Sequence, residues 1–460
     1  MQDDCLIVNV YAPDTGDKNL PVVVFIHGGA FQIGYGDMMP PTMFVNKNNV
    51  IGVTFNYRLG VNGFLCLGTP GAPGNAGLKD QVELLRWVRR NIASFGGNPD
   101  DVTLAGCSAG SVSTDLLMLS KATKKLFNKV IPESGSNVGV IALQNNPLET
   151  AKIYARSLNF TNVEDVYALE EFYKNTPIDL LLRAPFLDQP NFANSFTPCV
   201  ERDTKDGHVV LDRDPVSTIK RGKYRKVPML YGFTDMEGFL QLAQLGSWKT
   251  IMNEKFSDFL PIDLHFPNDE EKEEVAKKIK EFYFGDKPVG EDTVLEYIDY
   301  FSDVSFTYPT LRAVKLHAEV GHNEIYLYEY TFTDEETPVV PFTNVRGAMH
   351  CSQTITVLDA KPIVSMKEGK DTKEYEAMKN TMSELWFNFI RSGKPVPEGS
   401  SLPSWPPAGA NRSPYMSLGR TVELKDALLE KRFKFWDDLY EKYYRPPIPP
   451  PKPPTRHAEL

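Results

Sequence analysis

The sequence predicts an α/β fold in which helices flank a mostly parallel central sheet. Four apolar runs in its first third have the length and composition of β-strands, at residues 5–13, 20–29, 50–60 and 101–106. The second run is apolar without alternation from Val22 to Ile26, as expected for a strand that is covered on both faces. A helical pattern separates the last two runs, and strands that alternate with helices are typical of a parallel sheet.

The helix between those runs is predicted from the spacing of its apolar residues. These residues recur at helical spacing within the segment 77–97: Leu78, Val82, Leu85 and Ile92. Gly96 and Gly97 then end the pattern, as glycine commonly does at a helix C-terminus. Later segments predict strands at 128–134, 226–234 and 323–332, and long helices at 372–392 and 424–444. The segments 145–200 and 240–320 indicate mainly helix.

Size and charge limit the possible functions. The chain has 460 residues, of which 42% are hydrophobic, and its 5 Trp, 20 Tyr and 27 Phe can fill a large core. We expect one domain over residues 1–444 and a proline-rich tail over 445–460. The net charge of −10 argues against nucleic-acid binding, because a basic surface is needed to neutralise phosphates. The chain lacks an apolar run of about 18 residues, so no membrane span is predicted.

The cysteines are few and odd in number, which leaves at least one without a partner in this chain. None of them forms the C-x-x-C spacing of a thiolate metal site, so no metal is expected. Free cysteine behaves as a small hydrophobic residue, and we predict buried free thiols rather than disulfides. The five residues are Cys5, Cys66, Cys107, Cys199 and Cys351.

The stretch "VTLAGCSAGSVS" at residues 102–113 contains the candidate nucleophile, Ser108. Ser108 follows a predicted strand and precedes a segment whose apolar residues can form one face of a helix: Val112, Leu116 and Leu119. Strand, sharp turn and helix are the context that a G-x-S-x-G nucleophile requires. Gly106 and Gly110 would allow the strand and helix backbones to approach closely. The alternative is an ordinary serine in a glycine-rich turn.

A serine nucleophile needs a base, and His350 is the candidate among seven histidines. It lies in "NVRGAMHCSQ", in a loop beyond the strand predicted at 323–332, where small neighbours allow a close approach. The remaining histidines lie in the glycine loop, the middle region, the segment before that strand or the tail: His27, His208, His265, His317, His322 and His457.

The acid should lie between the serine and the histidine, because the order in hydrolases with this type of turn is Ser, acid, His. The stretch "GFTDMEGFL" follows the strand predicted at 226–234 and offers Asp235 and Glu237. We choose Glu237, next to Gly238, with Asp235 as the alternative. Either could instead be a solvated carboxylate of a turn.

An oxyanion hole needs backbone amides that point at one oxygen. The glycine-rich loop "IHGGAFQIG" follows a predicted strand and could supply the amides of Gly29 and Ala30. Ala109, directly after Ser108, could supply a third. The alternative is an ordinary turn between a strand and a helix.

Together these residues resemble the type-B carboxylesterase family, which includes the cholinesterases. The matching stretches include "DDCLIVNVYAP", "PVVVFIHGGAF", "FNYRLGVNGFL", "GNAGLKDQVELLRWVRRNIASFGGNPDDVTLAGCSAGS", "GFTDMEGF" and "GAMH", and "WPPAGANRSPYMSL" through "FWDDLYEKYY" extends the likeness almost to the end. Among members, insect carboxylesterases are the most similar, including those like juvenile-hormone esterase. The resemblance implies an α/β-hydrolase fold, the triad Ser108, Glu237 and His350, and an oxyanion hole of Gly29, Ala30 and Ala109.

The resemblance further implies hydrolysis of carboxylic esters through an acyl-enzyme, without a cofactor. Members often have Glu or Gln where this chain has Cys107, which favours uncharged, lipophilic esters over choline-like ones. The residues after His350 are "CSQ" where acidic residues are usual, which affects the surroundings of the base. We expect Cys107 and Cys351 to be neutral thiols, open to thiol-directed inactivation. The alternative is a catalytically impaired or ligand-binding member, although all three triad positions are filled.

Both ends of the sequence carry expectations that the resemblance implies. In the family "DDCL" follows an N-terminal segment, so the first strands and a signal peptide are expected to be missing and Cys5 to lack its partner. The terminal "HAEL" is similar to retrieval signals and implies a retrieval receptor. A full-length form with a signal peptide would reside in the endoplasmic reticulum lumen, whereas the chain as given would be cytoplasmic. Asn159 and Asn411 lie in glycosylation sequons, and the tail should project as an extended segment.

Overall fold

A computed structural model describes residues 5–181, 195–202, 208–360 and 371–454. Within these ranges, nine strands form one sheet in the order β1-β3-β2-β4-β5-β6-β7-β8-β9. The two outermost pairs, β1 with β3 and β8 with β9, are antiparallel, and all other neighbours are parallel. The strands are β1 Val8–Tyr11, β2 Leu20–Ile26, β3 Ile51–Phe55, β4 Gly97–Cys107, β5 Lys129–Glu133, β6 Met229–Thr234, β7 Ile325–Tyr330, β8 Tyr415–Leu418 and β9 Val422–Lys425.

Helices cover both faces of this sheet. The α-helices are α1 Thr42–Asn48, α2 Gly60–Phe64, α3 Ala76–Asn91, α4 Ala109–Leu119, α5 Pro147–Ser157, α6 Val166–Asn175, α7 Ile178–Leu181, α8 Pro215–Lys220, α9 Leu245–Glu254, α10 Asp269–Phe284, α11 Val294–Ser302, α12 Tyr308–Glu319, α13 Ser352–Val357, α14 Lys373–Ser392 and α15 Glu430–Tyr443. In the part of the chain that is described, none of them combines the length and apolar character needed to cross a membrane.

Strand β2 illustrates why the sheet is buried on both sides. Val22 and Val24 pack into one hydrophobic cluster, whereas Val23 and Phe25 pack into another on the opposite face. A strand enclosed in this way has no polar face, which explains its uninterrupted apolar run. The seven strands predicted from apolar runs are all confirmed, as are the helices that begin at Ala76 and Lys373.

The helix predicted at 424–444 is shorter than expected. It begins at Glu430, and residues 422–425 instead form strand β9, which pairs with β8. Neither β8 nor β9 was predicted. Each has four residues, and three of the four in β9 are exposed, so the pairing rather than an apolar pattern defines this edge.

The predicted free thiols are wrong for four of the five cysteines. Disulfides join Cys66 to Cys199 and Cys107 to Cys351, and Cys5 alone is free and exposed. The partners are 133 and 244 residues apart in the sequence, so their spacing carried no local signal. The fold brings their Cα atoms to within 6.7 and 6.1 Å.

The tail does not project from the body over its described part, residues 445–454. Pro450 is buried, and its carbonyl oxygen accepts a hydrogen bond from the Arg202 guanidinium. The Tyr167 hydroxyl donates to the carbonyl oxygen of Pro454 at 2.9 Å. This proline-rich segment therefore lies along the surface. The terminal "HAEL" at 457–460 lies outside the described residues.

Candidate active site

Ser108 occupies a sharp turn between β4, which ends at Cys107, and α4, which begins at Ala109. Its backbone has φ 60° and ψ −124°, a positive-φ conformation that non-glycine residues rarely adopt. The surroundings tolerate no extra atoms, since a β-carbon on Gly28 would lie 2.9 Å from the β-carbon of Ser108. A β-carbon on Gly110 would overlap the backbone of Ile26. Small residues therefore let β4, α4 and the 26–30 loop converge on the serine.

Glu237 follows β6 and is completely buried. One of its carboxylate oxygens accepts hydrogen bonds from the Ser134 hydroxyl at 2.6 Å and from the Thr234 amide at 2.8 Å. The other oxygen is hydrogen-bonded to Nδ1 of His350. The Phe306 ring packs against the imidazole, with 4.3 Å between ring centroids. The acid thus orients one nitrogen of the imidazole while an aromatic ring supports its face.

The other nitrogen of His350 remains available. Nε2 has no hydrogen-bond partner among the described residues, and both His350 and Ser108 line the same cavity. The structure therefore brings the predicted nucleophile and base to one cavity, with the predicted acid behind the base. Ser108 and His350 form no hydrogen bond with each other, and catalytic hydrogen bonds are often long or absent in hydrolases without a bound substrate.

Asp235, the alternative acid, has a different environment. Its Oδ1 accepts a hydrogen bond from the Ala348 amide at 2.8 Å, two residues before the histidine. Burial raises the pKa of this carboxyl to about 7. Asp235 therefore supports the loop that carries His350, and among the described residues it forms no hydrogen bond or ion pair with the imidazole.

The glycine-rich loop after β2 places two candidate oxyanion donors at the cavity. Gly29 and Ala30 line it and have φ values of 109° and 52°, whereas Ala109 is fully buried at the start of α4 and does not line it. The amides of these three residues donate no hydrogen bond to any other described residue. Nearby His27 stacks on Tyr57, and burial lowers its pKa to about 4, so it is neutral support for the loop.

The cavity beside Ser108 has a volume of about 960 Å³ and mostly apolar walls. They include Ile33, Met39, Phe239, Leu242, Phe332 and Ile355. The charged residues of the lining include Lys249 and Glu291, whose side chains pair at 3.2 Å. Within the described ranges, no group of three or more His, Cys, Asp or Glu side chains is arranged to hold a metal ion.

Sequence reasoning missed these walls. Ile33 and Phe239 lie within the stretches quoted for the oxyanion loop and the acid, but nothing in those stretches marked them as walls. The other walls come from residues 38–39, from the segment 242–246, from the loop 332–342 and from residues near the start of α13 and α14, none of which carries a motif. It also missed Ser134, which connects Glu237 to Gln353 of α13. The "PES" at the end of β5 was the available signal, but a short polar stretch at a strand end does not reveal its partner.

The predicted glycosylation residues are both on the surface. Asn159 lies just beyond the end of α5 with φ 64°, and its side chain is exposed. Asn411 is also exposed, and its side-chain oxygen accepts a hydrogen bond from the Ser413 amide at 3.3 Å.

Comparison with known proteins identifies the fold and then the family. A crystal structure of juvenile hormone esterase from Manduca sexta, with OTFP covalently attached, matches with a TM-score of 0.84 and 30% identity, over 96% of this chain and 85% of that one. The fold is therefore that of an α/β-hydrolase. The carboxylesterase family model matches residues 1–436.

Individual relatives support the same assignment. Juvenile hormone esterase of Heliothis virescens is 33% identical over 426 residues, which cover 88% of this chain and 74% of that protein. Liver carboxylesterase 1 of Oryctolagus cuniculus is 31% identical over 474 residues, covering 100% of this chain and 80% of the relative. The chain belongs to the carboxylesterase family, and it is a carboxylic ester hydrolase.

Proposed function

We propose that this esterase works through a triad of Ser108, His350 and Glu237 and a covalent acyl-enzyme. The observation that carries the proposal is the convergence of an unpartnered imidazole nitrogen and a strained serine on one cavity, with a buried carboxylate behind the imidazole. Nε2 of His350 takes the proton as the Ser108 oxygen attacks the ester carbonyl. Glu237 accepts the hydrogen bond from Nδ1, which fixes the tautomer and stabilises the imidazolium.

The first half-reaction ends when the alcohol leaves with a proton from His350. Water then enters, His350 removes its proton, and the resulting attack on the acyl group releases the acid and regenerates Ser108. The amides of Gly29, Ala30 and Ala109 act as oxyanion donors in both steps. The three amides are free of other hydrogen bonds within the described chain, which suits this role.

We further propose that the substrates are uncharged, lipophilic esters. Apolar walls favour apolar acyl or alcohol groups, because each buried CH₂ contributes about 0.8 kcal/mol. Lys249 and Glu291 neutralise one another, and the carboxylate of Asp334, which also lines the cavity, accepts hydrogen bonds from the hydroxyls of Thr337 and Thr372. The test compares kcat/KM for neutral p-nitrophenyl esters of increasing chain length with kcat/KM for a choline ester. A preference for the choline ester would contradict the proposal.

The disulfides bear on where the protein matures. Two disulfides that use four of the five cysteines are typical of oxidising compartments, which supports a secretory route. On that route Asn159 and Asn411 would carry glycans, and the terminal "HAEL" would bind a retrieval receptor. Intact mass before and after enzymatic removal of N-glycans tests this route. An unchanged mass in a secretory host would contradict glycosylation.

Burst titration tests the catalytic proposal directly. The purified chain is mixed with a p-nitrophenyl ester beside Ser108→Ala, and the release of p-nitrophenol is followed on a stopped-flow instrument. We expect a burst stoichiometric with enzyme that is lost in the variant. A cooperatively melting chain with no burst would favour the impaired or ligand-binding alternative.

A further inference from the structure

The disulfide between Cys107 and Cys351 connects the two segments that carry the nucleophile and the base. Cys107 is the last residue of β4 and directly precedes Ser108. Cys351 directly follows His350, has φ 65° and stands immediately before α13. The two cysteines are 244 residues apart in the sequence, with 6.1 Å between their Cα atoms. The covalent bond therefore lies one residue from each of these two proposed catalytic residues.

Other bonds hold the two segments to the sheet but not to each other. The Ser108 amide donates to the carbonyl oxygen of Glu133 at 2.9 Å. The base loop is bonded to the acid side of the site, since the Ala348 amide donates to Asp235 and the carbonyl oxygen of Ala348 accepts from the Met236 amide at 3.1 Å. Among the described residues, no hydrogen bond or ion pair joins 107–108 to 348–352. The disulfide is the direct bonded link between them.

The same disulfide faces the substrate cavity. Both cysteines line it, although their exposed fractions are only 1% and 5%. A small dithiol can enter the cavity, whereas a protein reductant cannot reach sulfur atoms buried to this degree. Cys66 and Cys199 are not among the lining residues, so the second disulfide serves as an internal control.

We propose that the Cys107–Cys351 disulfide is a positioning element that holds the nucleophile and the base in register, so that full activity requires the oxidised form. The inference rests on the proposed roles of Ser108 and His350. Bonded sulfurs are about 2.05 Å apart, whereas non-bonded heavy atoms rest at about 3.5–4.0 Å. Reduction therefore moves the base loop relative to Ser108 by on the order of 1 Å, and a misplacement of that size costs about 100-fold in rate.

The dithiol supplies the two electrons and the protons that reduction of the disulfide requires. One of its thiolates attacks a sulfur of the disulfide, the S–S bond breaks, and the departing sulfur takes up a proton. The second thiol of the reagent then attacks the mixed disulfide and closes a cyclic disulfide. Two electrons pass from the dithiol to the protein, which ends with thiols at Cys107 and Cys351. Ser108 is unchanged throughout.

The experiment isolates each disulfide in its own variant. Cys66→Ala/Cys199→Ala keeps only the disulfide at the site, and Cys107→Ala/Cys351→Ala keeps only the distant one. Each variant and the wild type are assayed with p-nitrophenyl acetate before and after dithiothreitol. Thiols are counted by mass spectrometry after alkylation, and the folded state is checked by circular dichroism at the assay temperature.

We expect reduction to lower kcat about 100-fold in the wild type and in Cys66→Ala/Cys199→Ala, with KM within about threefold. Oxidised glutathione should restore kcat, which a merely unfolded chain would not show. Cys107→Ala/Cys351→Ala, if folded, should have a low kcat that does not respond to reductant. The wild-type measurement stands even if this variant does not fold.

Three results would overturn the inference. They are free thiols at both positions in the purified chain, an unchanged kcat after complete reduction, and loss of activity only together with the cooperative melt. The proposed function fails separately, if the oxidised enzyme has no Ser108-dependent burst. A normal burst with a kcat insensitive to reductant would overturn the positioning role alone.

Discussion

Replacing Glu237 by Gln should disable the base while leaving the shape of the site intact. Gln353 donates to the Ser134 oxygen at 2.7 Å, which commits the Ser134 hydroxyl proton to Glu237. The Thr234 amide is a second fixed donor to the same oxygen. In Glu237→Gln the side-chain carbonyl must therefore occupy this position, and the NH₂ group must face Nδ1 of His350. Nδ1 then accepts instead of donating, and the proton moves to Nε2.

A protonated Nε2 cannot take a proton from Ser108. In a serine protease, the comparable amide substitution lowers kcat by about 10⁴, or about 5.4 kcal/mol of transition-state stabilisation. We expect a decrease of about 10³–10⁴-fold in kcat for Glu237→Gln, with KM little changed because the carboxylate does not line the cavity. Single-turnover stopped-flow with a p-nitrophenyl ester measures the acylation rate directly.

Asp235→Asn is the matched control. It neutralises a carboxyl two residues away, but the Asn oxygen can still accept the hydrogen bond from the Ala348 amide. Its acylation rate should remain within about tenfold of the wild type, since no tautomer depends on it. Retention of more than a tenth of the activity in Glu237→Gln, or a larger loss in Asp235→Asn, would refute the reasoning.

Two further predictions concern geometry and pH. Gly28→Ala would place a methyl group 2.9 Å from the Ser108 β-carbon, so the burst rate should fall about 100-fold while the circular dichroism melt stays cooperative; an unchanged burst rate would contradict this. Burial raises the pKa of Asp235 from 3.8 to about 7, so between pH 4 and 7 the folded protein keeps a proton that the unfolded chain has lost. The stability of the wild type therefore falls as pH rises through this window. The Tm of Asp235→Asn minus that of the wild type should increase from pH 4 to pH 7, and a Tm difference that stays constant over this range would argue against the reasoning.

The sheet was largely predictable because its strands are apolar on both faces. Such a strand leaves a continuous hydrophobic run that needs no knowledge of its neighbours, as in β2 and β4. Strand β8 is buried but has only four residues, and β9 is largely exposed, so neither leaves a long apolar run. The helix predicted at 424–444 was too long at its start, because nothing in the sequence indicated that residues 422–425 pair with β8.

For the candidate site, local motifs located Ser108, and chain order then pointed to Glu237 and His350. The structure brings the last two into contact across 113 residues of sequence. The disulfide pairing and the cavity walls could not be predicted, because both depend on loops whose positions the sheet sets. Cys107 and Cys351 are an example: each lies beside a residue that the motifs identified, but nothing in the sequence indicates that the two cysteines pair.

The order of strands in the sheet also determines how the site is assembled during synthesis. From β4 onward each new strand adds beside the one before it, so the growing edge can accept strands as they leave the ribosome. The turn of Ser108 is completed first, Glu237 arrives with β6, and His350 follows only after β7. A nascent chain that stops before residue 350 therefore contains Ser108 and Glu237, the proposed nucleophile and acid, but lacks His350, the proposed base. Hydrolytic activity would therefore report the arrival of the loop after β7, while β8 and β9 are still to be synthesised, rather than the formation of the first strands.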